Sequence, residues 1–165
     1  GVAEGSYTYA EFDARTSLIA ATLRGKWCVA RQERALLVFP PGIEFHLACV
    51  ACFKAGVIAV PVHPPEPHHL AKHLPHFAKL ALDCNAQVAL TNTLYYTTTT
   101  MAMISNVFTA NSWPPLRWKC VDTVSGTGRF EPEPCHEDDI LWLQYTSGST
   151  GDPKGVMVHN GAARQ

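Results

Sequence analysis

The chain has 165 residues, of which 47% are hydrophobic and 16% are charged, and its formal net charge is -1. A chain of this length can bury about 68–70% of its unfolded surface, which is enough for one sizeable core. The near-neutral charge excludes the strongly basic surface that nucleic-acid binding requires. No apolar run reaches the roughly 18 residues that a membrane span needs.

The first predicted element is a helix that opens at a capping box. Thr8 is followed three residues later by Glu11, the spacing at which side chains and backbone amides cap each other. Side chains at helical spacing then give the segment one face to bury. They are Tyr9, Phe12, Thr16, Ile19 and Leu23.

Apolar runs and the residues that stop them predict the next elements. The run at residues 34–39 is a buried strand that ends at a Pro-Pro-Gly sequence. Residues 43–55 are apolar for most of their length and predict a helix, with Gly56 as a left-handed C-cap. The β-branched segment 57–62 predicts a second strand.

The rest of the chain continues this alternation. The later elements are expected as helices at about 68–83 and within 94–108, strands at 87–91, 116–121 and 140–145, and a loop at 122–139. Because the strands are almost continuously apolar, they are predicted to be buried on both faces. The pattern indicates an α/β fold of β-α-β units with a largely parallel sheet.

Six cysteines are scattered through mostly apolar segments. Cys49 and Cys52 form a C-x-x-C pattern, which also occurs in redox and zinc sites. Here the pair lies inside the predicted helix 43–55, and no second C-x-x-C completes a tetrahedral site. We therefore expect buried structural thiols and a reducing, cytoplasmic compartment. The sequence leaves open whether a targeting segment precedes Gly1.

Five histidines fall within residues 63–76, and three of them share one face of the predicted helix 68–83: His69, His73 and His76. A histidine pair at i and i+4 can bind zinc. No carboxylate or cysteine stands at ligand spacing on that face. We therefore expect a polar, solvent-facing side and predict no metal site in the chain.

The most informative segment is YTSGSTGDPK, at residues 145–154. Its two glycines let backbone amides approach a ligand closely. Successive amides can form a nest for an anion, to which Lys154 adds a mobile charge. The motif is not the G-x-x-x-x-G-K-[ST] loop, because Gly155 stands where that loop needs Ser or Thr. We predict a loop that holds the phosphates of a nucleotide. A flexible surface linker is the alternative.

The sequence TSGSTGDPKG at residues 146–155 resembles the nucleotide loop of the acyl-adenylate-forming (AMP-binding) enzymes at every position that this family fixes. Segment 54–64 is similar to the family's helix-to-strand region upstream of that loop, and segment 7–12 to its early helix start. The resemblance spans nearly the whole chain. It implies that residues 1–165 are an incomplete N-terminal part of the adenylation domain, without the C-terminal domain.

The resemblance also implies a reaction. The complete enzyme is expected to use ATP and Mg²⁺ to convert a carboxylic acid to an acyl-adenylate, releasing pyrophosphate, whereas residues 1–165 alone are expected to be inactive. Lys154 is the expected catalytic residue, because charge gathers on the leaving pyrophosphate. The expected phosphate-binding residues are Thr146, Ser147, Gly148, Ser149, Thr150, Gly151 and Lys154.

Within the superfamily, the sequence FPPG at residues 39–42 and the prolines at 64–65 look most like fatty acyl-AMP ligases. A fatty acid is therefore the expected substrate, and an acyl-carrier protein or coenzyme A the expected acceptor. The alternatives are an acyl-CoA synthetase, a peptide-synthetase adenylation domain and a non-catalytic adenylate-binding relative. One departure is Asn160, since the family often has a histidine at that position, near the acyl channel.

Overall fold

The structure is a computed structural model that describes residues 6–105, 113–132, 134–147 and 153–162. The elements follow in chain order: α1 (Tyr9–Arg24), β1 (Arg34–Leu37), α2 (Ile43–Ala55), β2 (Ile58–Pro61), α3 (Leu70–Asp83), β3 (Val88–Thr91), α4 (Thr93–Ser105), β4 (Arg117–Cys120), β5 (Ile140–Ser147) and β6 (Pro153–His159). None of the helices in these ranges combines the length and hydropathy that a bilayer crossing requires.

The strands form one sheet in the order β4-β3-β1-β2-β5-β6. The neighbours from β4 to β5 pair in parallel, whereas β5 and β6 pair antiparallel. Parallel strands of one sheet need long crossover connections, and α2, α3 and α4 lie in the connections from β1 to β2, from β2 to β3 and from β3 to β4. The predicted α/β fold with a largely parallel sheet is confirmed. The antiparallel hairpin at its edge was not part of the prediction.

Two apolar clusters cover the two faces of the sheet. Strand β1 shows the division, because Ala35 and Leu37 belong to the cluster that contains α1 and α2. Leu36 and Val38 belong to the cluster that contains α3. Alternate residues of a strand point to opposite faces. Burial on both faces therefore explains why the strands show no polar alternation.

The predicted helices and strands are confirmed, with small shifts at their ends. Helix α1 opens with the expected capping box, in which the Thr8 amide donates to Glu11 Oε2 at 2.8 Å. The Glu11 amide donates in return to Thr8 Oγ1 at 3.3 Å. Helix α3 begins at Leu70, later than expected, because Pro67–His69 forms a 3-10 turn before it.

The cysteines, all of which lie in the described ranges, are free. Cys49 and Cys52 are buried within α2, as predicted. Burial raises the pKa of the Cys49 thiol to about 11 and also raises the pKa of Cys52. Both thiols are therefore protonated packing groups at neutral pH. Cys28 differs from the expectation, because it is exposed.

Gly56 ends α2 in the left-handed region, with φ 64° and ψ 26°. A Cβ there would lie 3.1 Å from Nη1 and 3.3 Å from Cγ of Arg31. We expect Gly56→Ala to lower the free energy of unfolding by about 1–2 kcal/mol. Urea unfolding of the intact protein measures this change. The control is Gly128→Ala, whose Cβ would make an ordinary 3.5 Å contact. A Gly56→Ala midpoint equal to that of the control would contradict the expectation.

Candidate functional site

The predicted phosphate loop connects β5 to β6, which pair as an antiparallel hairpin. Thr146 and Ser147 are the last residues of β5, and Pro153 and Lys154 are the first residues of β6. Strand pairing therefore defines both ends of the loop. The remaining predicted phosphate-binding residues lie outside the described residues: Gly148, Ser149, Thr150 and Gly151.

Thr146 and Lys154 stand directly opposite each other across the hairpin. Residues in this relation project from the same face, with Cβ atoms about 4.5–5.5 Å apart. Both side chains are exposed, and Lys154 has no hydrogen bond or ion pair with another residue that the structure describes. A hydroxyl donor and an ammonium side by side at the start of a turn are suited to binding an anion.

The opposite face of the hairpin carries Tyr145. Its hydroxyl donates a 2.6 Å hydrogen bond to Oδ2 of Asp83, the last residue of α3. Its ring lies over Gly155, the residue that pairs with it in β6. Burial, and then the hydrogen bond to Asp83, raise the pKa of the phenol above its ordinary value. The phenol therefore remains a donor at neutral pH.

The base of the hairpin is tied to the turn that precedes β1. Gln32 Oε1 accepts from the Ile140 amide at 3.0 Å, and Gln32 Nε2 donates to the Ile140 carbonyl at 3.2 Å. Arg31 forms an ion pair with Asp139. The Asp139 carbonyl accepts from the amide of Asn160 at 2.9 Å. Asn160, which departs from the family pattern, is buried, and its hydrogen bond to Asp139 helps to hold the two ends of the hairpin together.

Sequence reasoning missed the residues that hold the hairpin in place. Asp83 is 62 positions away from its partner Tyr145, and Gln32 is 108 positions away from Ile140. Neither residue belongs to a local motif. Only a signal of long-range contact, such as co-variation between aligned sequences, would have indicated them.

Two cavities share the segment that follows β2. One, of about 350 Å³, lies between residues 39–46 and 62–64, just beyond the carboxyl ends of β1 and β2. The other, of about 260 Å³, lies between residues 62–65 and α3. Open α/β sheets bind ligands at the carboxyl ends of their strands, so the first cavity is in a suitable place to receive one.

A carboxylate reaches the histidine cluster from the turn before α3, outside the helix face on which no carboxylate was expected. Glu66 Oε2 lies 2.8 Å from Nδ1 of His69, because the 3-10 turn between them brings the two side chains together. The Glu66 amide also donates to Nδ1 of His73 at 3.3 Å. The hydrogen bond to His69 lowers the pKa of the Glu66 carboxyl. Even so, no three His, Cys, Asp or Glu side chains in the described ranges are arranged to hold a metal ion.

The chain is similar to known enzymes over nearly its whole length. Residues 2–164 match the family described as AMP-binding enzyme. Medium-chain-fatty-acid (acyl-carrier-protein) ligase JamA of Moorena producens (strain JHB) is 35% identical over 155 residues, which are 93% of this chain and 25% of JamA. Tyrocidine synthase 2 of Brevibacillus parabrevis is 30% identical over 159 residues, 93% of this chain and 4% of that protein.

A solved structure shares the fold. The fatty acyl-adenylate ligase from L. pneumophila, in complex with acyl adenylate and pyrophosphate, superposes with a TM-score of 0.76 and 29% identity. The match covers 94% of this chain and 25% of the ligase. The chain thus spans about a quarter of the length of this ligase and of JamA. Because the family match extends over residues 2–164, the chain belongs to the AMP-binding enzyme family.

Proposed function

We propose that the protein containing these residues uses ATP to activate a carboxylic acid. A carboxylate oxygen attacks the α-phosphorus and forms a new O–P bond. The bond between that phosphorus and the oxygen bridging to the β-phosphorus breaks, and pyrophosphate leaves, so that the product is an acyl-adenylate. The observation that carries the proposal is the Thr146–Lys154 pair at the start of the hairpin turn, in a chain of the AMP-binding enzyme family.

Lys154 is the proposed catalytic residue, because the leaving pyrophosphate gains negative charge as the bond breaks. Its exposed ammonium would stabilise that charge more in the transition state than in the ground state. Positioning and electrostatics are the main work of a protein in such a transfer. The further proposed donors are the backbone amides of residues 147–151 and the hydroxyls of Thr146, Ser149 and Thr150.

The donors on the hairpin fit a polyphosphate that is bound together with Mg²⁺. Thr146 and Lys154 supply a neutral hydroxyl and a cation, so the phosphate oxygens would provide the anionic ligands that Mg²⁺ prefers. Among the described residues, Thr146 and Lys154 would hold the phosphates to which the ion is bound. When bound, the ion would neutralise part of the phosphate charge.

A fatty acid is the proposed substrate, and an acyl-carrier protein is the proposed acceptor. JamA is named as a medium-chain-fatty-acid (acyl-carrier-protein) ligase and is 35% identical to this chain. The ligase from L. pneumophila is named as a fatty acyl-adenylate ligase. Coenzyme A is the alternative acceptor. The free thiols support a reducing, cytoplasmic compartment as part of the proposal.

Acid-dependent ATP–pyrophosphate exchange by the intact protein tests the proposal. The panel runs from short to long fatty acids and includes amino acids for comparison. We expect exchange with fatty acids only. Mass spectrometry then detects the thioester product, with phosphopantetheinylated carrier protein and coenzyme A offered in separate reactions. If no acid supports exchange, the proposed reaction is wrong. If only amino acids support exchange, the substrate class is amino acids and not fatty acids.

A further inference from the structure

We propose that Tyr145 and Asp83 are positioning residues, which hold the β5–β6 hairpin against helix α3 and so set the place of the Thr146–Lys154 pair. We name the contact between Tyr145 and Asp83 the hairpin anchor. Its catalytic consequence rests on the proposed function, whereas the anchor itself rests on the described geometry. Neither residue is assigned a contact with substrate.

The hairpin anchor lies one residue away from the pair that it positions. Tyr145 precedes Thr146 in β5, and Gly155, which pairs with Tyr145, follows Lys154 in β6. Neighbouring side chains of a strand point to opposite faces. Tyr145 therefore reaches α3, through its 2.6 Å hydrogen bond to Asp83, while the proposed phosphate donors project from the other face.

In the described structure, the outer part of the hairpin has no strand-pairing partner besides itself, although β6 also approaches α3. Strand β2 pairs with β5 at Trp142 alone, and from there to the turn β5 pairs only with the edge strand β6. Leu143 is buried on the α3 side, and Tyr145 is the next side chain on that face. The hairpin anchor is thus the described contact with α3 that lies closest to the turn along β5.

Gly155 explains how the tyrosine ring fits. Its backbone has no positive φ, so its conformation alone does not require glycine. A Cβ at this position would lie 2.9 Å from Tyr145 Cζ and 3.2 Å from the Tyr145 hydroxyl oxygen. Any larger residue would displace the ring and draw the hydroxyl away from Asp83. The glycine that follows the loop lysine is therefore needed for packing against Tyr145.

Three substitutions in the intact protein test the hairpin anchor. Tyr145→Phe keeps the ring and removes the donor, Asp83→Ala removes the acceptor, and Asp83→Asn keeps an oxygen that can accept. We expect kcat for acid-dependent ATP–pyrophosphate exchange to fall roughly tenfold in the first two variants, with the KM for the acid unchanged, because the phosphate donors are misplaced. Asp83→Asn should recover most of the loss.

A double variant shows whether the two substitutions act through one shared hydrogen bond or through two independent effects. Tyr145→Phe combined with Asp83→Ala should be no slower than either single variant, because both changes remove the same hydrogen bond. Losses that multiply in the double variant would overturn the proposal. Asp13→Asn is the matched control, because this exposed carboxylate also contacts a neighbouring helix, accepting from Lys54 at 2.7 Å.

Amide hydrogen–deuterium exchange of β5 and β6, measured on the same variants, needs no nucleotide. Faster deuterium uptake in Tyr145→Phe and Asp83→Ala than in Asp13→Asn would support the anchor, and equal uptake would overturn it. If these two variants turn over like Asp13→Asn while Lys154→Ala is impaired, the positioning role is overturned. If the wild type turns over no acid, the proposed function fails, and deuterium uptake alone decides whether the anchor exists.

Discussion

Lys154→Ala in the intact protein is expected to lower the rate of acid-dependent ATP–pyrophosphate exchange by roughly 100-fold, the usual effect of removing one donor to a developing oxyanion. Lys154 is exposed and stands opposite Thr146, so its ammonium is free to reach a phosphate group at the turn. Because the stabilised charge grows as pyrophosphate leaves, kcat should fall while the KM for the acid changes little.

Two further variants make this test specific. Lys26→Ala removes another exposed lysine, in the turn after α1, and is expected to leave the exchange rate unchanged. Lys154→Arg keeps the charge but replaces the compact ammonium with a planar guanidinium, so an intermediate rate is expected. A Lys154→Ala enzyme as fast as Lys26→Ala would remove Lys154 from the mechanism.

Leu90→Ala is expected to lower the free energy of unfolding by about 3 kcal/mol. Leu90 is 0% exposed, lies in β3 between β4 and β1, and packs in the cluster with α1 and α2. An internal strand that is paired on both sides cannot easily move to fill the space that the lost side-chain atoms leave. Urea unfolding of the intact protein, followed by intrinsic fluorescence, measures the change.

The same substitution four residues later provides the control. Leu94 is 75% exposed on α4, and Leu94→Ala should change the free energy of unfolding by less than about 0.5 kcal/mol. If the free energy of unfolding fell by similar amounts in the two variants, the expectation for Leu90, which depends on its burial, would be contradicted.

The elements that the sequence predicted best are those whose cause lies within one short segment. The capping box joins Thr8 to Glu11, three residues apart, and the left-handed conformation at Gly56 follows from the absence of a Cβ. One contact over a similarly short distance, between Glu66 and His69, was not predicted. Helical spacing does not describe the 3-10 turn that brings Glu66 to His69.

The site was predictable only in part, for a related reason. The loop motif predicted that Thr146 and Lys154 supply a hydroxyl and a cation near a nucleotide phosphate, and this prediction awaits the exchange experiments. The motif did not indicate that the two residues face each other across a hairpin. Nor did it indicate that Tyr145, within the same motif, contacts Asp83.

Patterns among residues near one another in the chain were sufficient for the helices, the strands, the α/β class and the family, because periodicity and motif spacing are local properties. The strand order, the antiparallel edge and the contacts of Gln32 and Asp83 with β5 became visible only in the folded molecule. These features depend on which distant segments pack together, and that packing is determined by the shape and burial of the whole core.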